Sequence, residues 1–281
     1  MPEITEAPHL PSLYLKAAVT GPTRRGGDAL PDAEYVRRDV TVDREHLAAY
    51  NRVCGFGLRD ELPVTYPHMP SFGMAVRLMT DTGFPFPLVG LVHVANEITQ
   101  YRPVLVTDTF DQRVYAAGLR PHPKGKQFDM VTETYVGDEL VWREASTYLR
   151  RGKSDPSAPR PEPVAEVEAG SPTARWRLPA DLGRSYAAVS GDSNPIHMHA
   201  LPAKAFGFPK AIAHGMWSKA RSIAALEGRL PEAFTVSVEF RKPVLLPSTA
   251  EFTAVKQHQG WDVALHSRSG KAHLQGAIRA I

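Results

Sequence analysis

The feature of this sequence that most restricts its fold is an order of motifs shared by its two halves. Tyr50-x-x-Val53-Cys54-Gly55 returns 136 positions later as Tyr186-x-x-Val189-Ser190-Gly191. Phe72-Gly73-Met74 returns after 142 positions as His214-Gly215-Met216, and Arg102-Pro103-Val104-Leu105 after 140 as Lys242-Pro243-Val244-Leu245. Each identity is weak by itself. Three in one order, at offsets that differ by so few residues, are what a duplication with small insertions leaves. Such a chain folds as two copies of one unit, and 281 residues are enough for each to bury a core.

Both halves run from helices to strands. In the first, residues 13–19 form a short apolar piece, strand or irregular, and residues 35–42 alternate weakly like an edge strand. Asp43 stands as the N-cap of a short helix with Leu47, Tyr50 and Val53 on one face and Gly55 as its stop. Residues 72–80 follow as a longer helix. From Val89 the period changes, and runs 89–101, 105–118, 125–137 and 138–150 are rich in Val, Thr, Tyr and Phe. Turn chemistry at Arg102-Pro103, Pro121 to Gly125 and Gly137-Asp138 separates them, which predicts an antiparallel meander.

The second half repeats this. Trp176-Arg177-Leu178 leads to Asp181 as an N-cap, a short helix through Tyr186–Val189, a small one over 200–206 and a long one over 215–226. Strands follow at 234–241, 249–257, 262–268 and 272–281. Residues 151–173 hold Pro, Ala, Ser and charge with almost no large apolar side chain, and read as a linker. The expected organisation is therefore 1–150, a linker 151–173, and 174–281. Its class is α+β, a helix covering one face of an antiparallel sheet in each half.

Composition narrows the partners. A hydrophobic fraction of 43% and a charged fraction of 22% are those of a globular chain. A net charge of +3 is too small to argue for nucleic acid or membrane as partner, while a pI near 8.9 suits an anionic ligand. One cysteine, Cys54, rules out an internal disulfide framework and a cysteine zinc site. No apolar run is long enough to span a bilayer, and MPEITEAPHL lacks the pattern of a signal peptide, so a cytoplasmic setting is expected.

Chemistry concentrates between Tyr186 and Met216. Asp192, Asn194 and His197 stand at D-x-N-x-x-H spacing, stiffened by Pro195, and His214-Gly215-Met216 opens the long helix. The loop brings Asp192 and His197 close enough to share one water, as acid–base chemistry on a polarised double bond requires. Gly215 lies where helix amides are unpaired and the dipole favours negative charge, and its missing side chain leaves a carbonyl room to approach. At the offset of 136, Phe56, Leu58 and Glu61 stand where the second half has Asp192, Asn194 and His197; Phe72 matches His214. The first copy thus lacks acid, orienter and base.

Other candidates have plainer readings. His199 makes H-x-H with His197 but has no third ligand in sequence, so no metal is expected. His214 reads as a hydrogen-bonding residue at the helix start. Ser218 and Ser222 are candidates to bond the dyad, with at least one on the helix surface. His68, His93, His258, His266 and His273 stand in unsupported contexts. Cys54, aligned with Ser190, reads as a small buried residue. Lys204, Lys210, Lys219, Arg221, Arg241 and Lys242 fit a solvated face or contacts to phosphate.

SGDSNPIH, then AKAFGF, then IAHGM resemble the hydratase motif of the MaoC-like, (R)-specific enoyl-CoA hydratase family. The motif covers residues 186–217. The fold-level resemblance covers both halves, with the first degenerate, as in fungal and actinobacterial double-hot-dog hydratases. The resemblance implies a double hot dog and reversible hydration of trans-2-enoyl thioesters to (3R)-hydroxyacyl thioesters in fatty-acid metabolism. It implies Asp192 and His197 as the catalytic dyad for syn addition, and the Gly215 amide, beside His214, as the seat of the thioester oxygen. Asn194 and Ser190 support the loop. No cofactor is implied beyond the CoA or phosphopantetheine of the substrate, carried as CoA or acyl carrier protein by a monomer or homodimer. Loss of the first dyad then makes room for longer acyl chains. A hot-dog thioesterase and a non-catalytic acyl-thioester-binding subunit are the rival readings.

Overall fold

The computed structural model describes residues 3, 8–20, 27–153, 155–159 and 161–281. Most of the stretch read for a signal peptide, and linker residues 154 and 160, lie outside the described residues. The elements run α1 (Leu10–Thr20), β1 (Glu34–Val40), α2 (Arg44–Cys54), α3 (His68–Thr80), β2 (Leu91–Gln100), β3 (Phe110–His122), β4 (Gly125–Val136) and β5 (Glu139–Arg151). They continue with β6 (Ala174–Leu178), α4 (Leu182–Ser190), α5 (Pro195–Met198), α6 (Ala200–Ala205) and α7 (Gly215–Ala224). Last come β7 (Phe234–Phe240), β8 (Ser248–Gln257), β9 (Gly260–Ser267) and β10 (Ala272–Ala280).

The chain divides into two compact units that do not follow its halves. Unit 1 holds residues 1–42, 67–98 and 107–162, and unit 2 holds 43–66, 99–106 and 163–281. In unit 1 the strands lie in the order β1-β3-β4-β5-β2, and in unit 2 in the order β7-β10-β9-β8-β6. The antiparallel pairing agrees with the sequence reading. The expected four-strand meander does not form, because β2 lies beside β5 and β7 beside β10. The Arg102–Leu105 and Lys242–Leu245 motifs therefore sit in crossing connections, not in hairpin turns.

In unit 1 the apolar side chains of α3 pack on Tyr35, Val114, Phe128 and Met130, with Phe84 and Phe86 completing the aromatic core. Almost the whole of α3 is buried, as expected of a helix enclosed by a sheet. It starts at His68, four residues before the expected Phe72. Residues 10–20 are helical, neither strand nor irregular, and α1 lies on α3. Leu and Ala favour helix, and Pro11 is tolerated because first-turn amides have no partner to lose.

Cap chemistry separates the two short helices. Asp43 Oδ1 accepts the Glu45 and His46 amides at 2.9 and 3.2 Å, and α2 ends at Gly55 with φ +83°, the left-handed stop that glycine supplies. Asp181, expected to cap α4, makes no side-chain cap bond. The segment read as a linker has no helix or strand among its described residues beyond the β5 end, yet it is not loose. Val167 is buried, and its backbone N–H and C=O pair with the side chain of Gln275 at 2.9 and 3.0 Å.

Candidate active site

The site lies within unit 2, on the chain between α4 and α7. Gly191, at φ +74°, ends α4 and turns the backbone into Asp192. The Asp192 N–H donates to Ser190 Oγ at 3.2 Å, and the Asn194 N–H donates to Asp192 Oδ1 at 3.2 Å. Asn194 Oδ1 accepts the Ile196 amide at 3.4 Å, and Pro195 fills the first position of α5, where a missing amide costs nothing. Ser190 and Asn194 thus shape the loop through its backbone.

His197, on α5, is buried. Its Nδ1–H donates to the Ile212 carbonyl at 2.8 Å, because a carbonyl can only accept. That bond fixes the tautomer and leaves the lone pair on Nε2. Burial pushes its pKa down, against the charge of Asp192 and the Ile212 bond, so the ring is held neutral. His214 is its neighbour: the two rings stack with centroids 3.7 Å apart and planes at 26°. His214 Nε2–H donates to the Asp192 backbone carbonyl at 2.9 Å, and Nε2 is 3.8 Å from Asp192 Oδ2. Burial, then repulsion by His197, pushes the His214 pKa down to about 3. Its Nδ1 is buried without a hydrogen-bond partner among the described residues.

His214 is also the residue before α7, and Gly215 is the first residue of that helix. The amides of this turn have no partners inside the helix, so they can receive developing negative charge beside the dyad. Packing adds a second reason for glycine: a Cβ at 215 would lie 3.0–3.1 Å from the Phe240 ring, which would have to give by a few tenths of an ångström. Asp192 keeps a quarter of its side chain exposed, which makes it the wet edge of an otherwise buried cluster.

Three contributors escaped the sequence reading. Gly183 on α4 lies so close to α5 that a Cβ there would sit 2.0 Å from the His197 carbonyl oxygen. Ile212 orients His197 through its carbonyl, and its own N–H donates to Ile196 at 3.1 Å. Phe240 walls Gly215. Gly183 and Ile212 act through backbone, which leaves no signature in side-chain pattern. Ser218 and Ser222 do not bond the dyad. Both are buried, and their hydroxyls return to the carbonyls of His214 and Ser218 within their own helix. Lys219, read as a candidate for a solvated face or phosphate contact, is fully buried and donates to the Val236 carbonyl at 3.0 Å. His68, set aside in the sequence, is a buried partner of Glu144 in unit 1.

The alignment of the copies also needs correction. Ala213 N–H bonds Val244 and Leu246 N–H bonds Ala211; in the first copy Leu62 N–H bonds Val104 and Val106 N–H bonds Asp60. The bridges Ile212↔Leu245 and Glu61↔Leu105 make Glu61 the counterpart of Ile212, not of His197. Six residues lead from Gly55 to Glu61, and twenty-one from Gly191 to Ile212. The first copy has therefore no α5 or α6, and His197 has no counterpart at all.

Asp192, His197 and His214 each offer one ligand atom, all within 4.8 Å of one another. Two facts weigh against joint ligation of an ion. One nitrogen of each ring is already engaged with a carbonyl, and stacked rings direct their remaining lone pairs along nearly parallel planes. His199 makes no third ligand.

The MaoC like domain family model matches residues 158–273. The chain is 38% identical over 280 residues to 3-hydroxyacyl-thioester dehydratase X of Mycobacterium tuberculosis, covering 99% of this chain and 100% of that protein. A crystal structure of HtdX from the same organism superposes with a TM-score of 0.78 at 38% identity, covering 89% of this chain and 100% of that one. A MaoC-like dehydratase from Phytophthora capsici superposes with a TM-score of 0.71 at 17% identity, over 90% and 96% of the chains, a likeness of fold alone.

Proposed function

This chain belongs to the MaoC-like dehydratase family, with the α+β double hot-dog fold, and we propose that Asp192 and His197 are its catalytic dyad. The reaction is the reversible hydration of trans-2-enoyl thioesters, equivalently the dehydration of (3R)-hydroxyacyl thioesters, in fatty-acid metabolism. The observation that carries this reading is the neutral His197, with Nδ1 pinned to Ile212 and Nε2 left to accept a proton, beside a part-exposed Asp192 and the first turn of α7.

In the dehydration direction His197 Nε2 takes the proton from the α-carbon, and charge moves onto the thioester oxygen at the Gly215 amide. The bond from the β-carbon to its hydroxyl then breaks. The departing oxygen takes a proton from the His197 imidazolium and leaves as water, so one proton travels from carbon to oxygen and nothing is oxidised. Asp192 accepts a hydrogen bond from that hydroxyl, and its charge favours the imidazolium. Hydration is the same path reversed. His214 positions the dyad through stacking and its bond to the Asp192 backbone.

We infer that the first copy is non-catalytic, since it lacks α5 and α6, and that it serves longer acyl chains. The test follows the enoyl absorbance of crotonyl-CoA and dodecenoyl-CoA, with the chirality of the product determined. The expected result is (3R)-hydroxyacyl-CoA, with turnover lowered by roughly 10²- to 10⁴-fold in Asp192→Asn and His197→Ala. Release of free CoA with no change at the double bond would overturn the reading in favour of a thioesterase. Strict preference for four-carbon chains would overturn the role of the first copy.

A further inference from the structure

Unit 2 also carries a groove of about 410 Å³ that the chemistry above does not use. Arg52, Arg175, Arg177 and Arg221 line it with Trp176 and Gly55, and no Asp or Glu does. None of its lining residues belongs to the Asp192–His197–His214 cluster. A second hollow of about 560 Å³ shares Arg175 and Arg177 and adds Arg268, with Glu251 as its one acid. Glu251 pairs with Arg175 at 2.9 Å. Among the described residues, Arg52, Arg177 and Arg221 have no carboxylate partner.

Arg221 is the informative member. It projects from α7, half-buried, with its guanidinium 4.6 Å from the centroid of the Trp176 ring. It lies directly on the backbone of Gly55, where a Cβ would fall 2.2 Å from Nη1. Burial pushes its pKa down, the mark of a charge partly withdrawn from water. Phe252 stacks on the same tryptophan at 5.0 Å, so Trp176 holds the arginine and has no face left for a ligand ring. A guanidinium withdrawn from water without a counter-charge is destabilising unless an anion completes it. Arg221, with the exposed guanidiniums of Arg52 and Arg177 converging on the same hollow of small-molecule size, matches the forked, bidentate recognition of phosphate.

We propose that this groove binds a small anion bearing more than one phosphate group, of the nucleoside bisphosphate or diphosphate class. Three guanidiniums without a carboxylate, beside Arg175 that is already paired with Glu251, carry more positive charge than a single phosphate neutralises, and recognition is by charge and not by ring stacking. The anion has two possible sources, a free nucleotide or the nucleotide end of a coenzyme A thioester. The second source rests on the thioester reading above; binding itself does not.

The test is calorimetric titration of the full chain with adenosine 3′,5′-bisphosphate at low ionic strength. One-to-one binding is expected, weakened by added salt and about tenfold weaker in each of R177Q and R221Q. Where R221Q fails to fold, the exposed positions supply R52Q and R177Q. No binding to the native protein, or binding unchanged in the R52Q/R177Q double variant, overturns the proposal. Steady-state kinetics separate the sources. A raised KM for an enoyl-CoA, with none for the phosphate-free enoyl N-acetylcysteamine thioester, assigns the groove to the substrate's own tail. Unchanged KM values for both, with nucleotide binding lost, assign it to a free nucleotide. Turnover of the phosphate-free thioester reports on the dyad alone, so failure of the groove and failure of the thioester reading give different results.

Discussion

Each unit buries a histidine beside a carboxyl group near the start of its main helix, and the two clusters are finished differently. In unit 1, His68 opens α3 and meets Glu144 Oε2 at 2.8 Å, while Asn96 donates to Glu144 Oε1 at 2.6 Å and to Ser146 Oγ at 3.0 Å. Both carboxylate oxygens are engaged, and all four residues are buried. In unit 2, Asp192 is part-exposed, and each histidine spends one nitrogen on a backbone carbonyl and keeps the other out of the network. A closed cluster fastens a helix to its sheet. An open one holds unspent ring acceptors at fixed positions, which is what a reacting molecule needs.

The strongest way to break this contrast is to cut both carboxylates. Glu144→Ala is expected to cost about 3 kcal/mol of stability by stranding buried donors, with turnover of the folded protein unchanged. Asp192→Asn is expected to do the opposite, removing turnover while leaving the unfolding midpoint nearly where it was. Urea titration and enoyl hydration on both variants decide it, and a catalytic loss in Glu144→Ala without destabilisation defeats the comparison. Gly183→Ala comes next, at about 2 kcal/mol, because its Cβ meets the His197 carbonyl and something must move. Lower turnover with KM preserved is the sign that the displaced part is the dyad.

Proton linkage gives a smaller, graded effect. Folding depresses the His197 and His214 pKa values, the latter to about 3. Below the ordinary histidine value the unfolded chain therefore binds protons that the folded chain refuses. Stability is full above about pH 6.5 and falls as pH drops toward the folded values, by up to about 1.4 kcal/mol per pH unit for each ring. Unfolding midpoints at pH 7.5 and 5 measure the slope; His214→Gln is expected to flatten it, and an unchanged slope contradicts the assignment. The smallest contrast is at the caps. Asp43→Ala is expected to cost about 1 kcal/mol, and Asp181→Ala only a few tenths, by thermal unfolding.

Local signals proved legible wherever residue type dictates geometry. The loop Asp192–His197 and the start of α7 at Gly215 follow from proline, glycine and charge, and most strand limits fall within two residues of their hydrophobic runs. What escaped is non-local. That β2 lies beside β5 depends on how a sheet closes round a helix, not on turn chemistry between neighbours. Likewise the pairing of Glu61 with Leu105, which moves the true counterpart of His197 off the alignment, is visible only through backbone bonds. Gly183 carries no signal in the sequence, since only the closeness of α5 makes its bare position matter, and Lys219 has the polarity of a surface residue while lying in the core.

Residues 43–66 and 99–106 belong to unit 2 although they precede the 151–173 segment in the chain. A polypeptide translated from residue 163 onward would lack Tyr50, whose ring lies 6.4 Å from that of Tyr186. It would also lack the Val53 carbonyl that accepts the Trp217 indole N–H, and the ring of His46, which contacts the Val189 carbonyl at 2.7 Å. Gene fission at the linker would thus divide a core, not release a module. The duplicated halves are inherited together, and two separate transcripts would serve only if their products reassembled by fragment complementation.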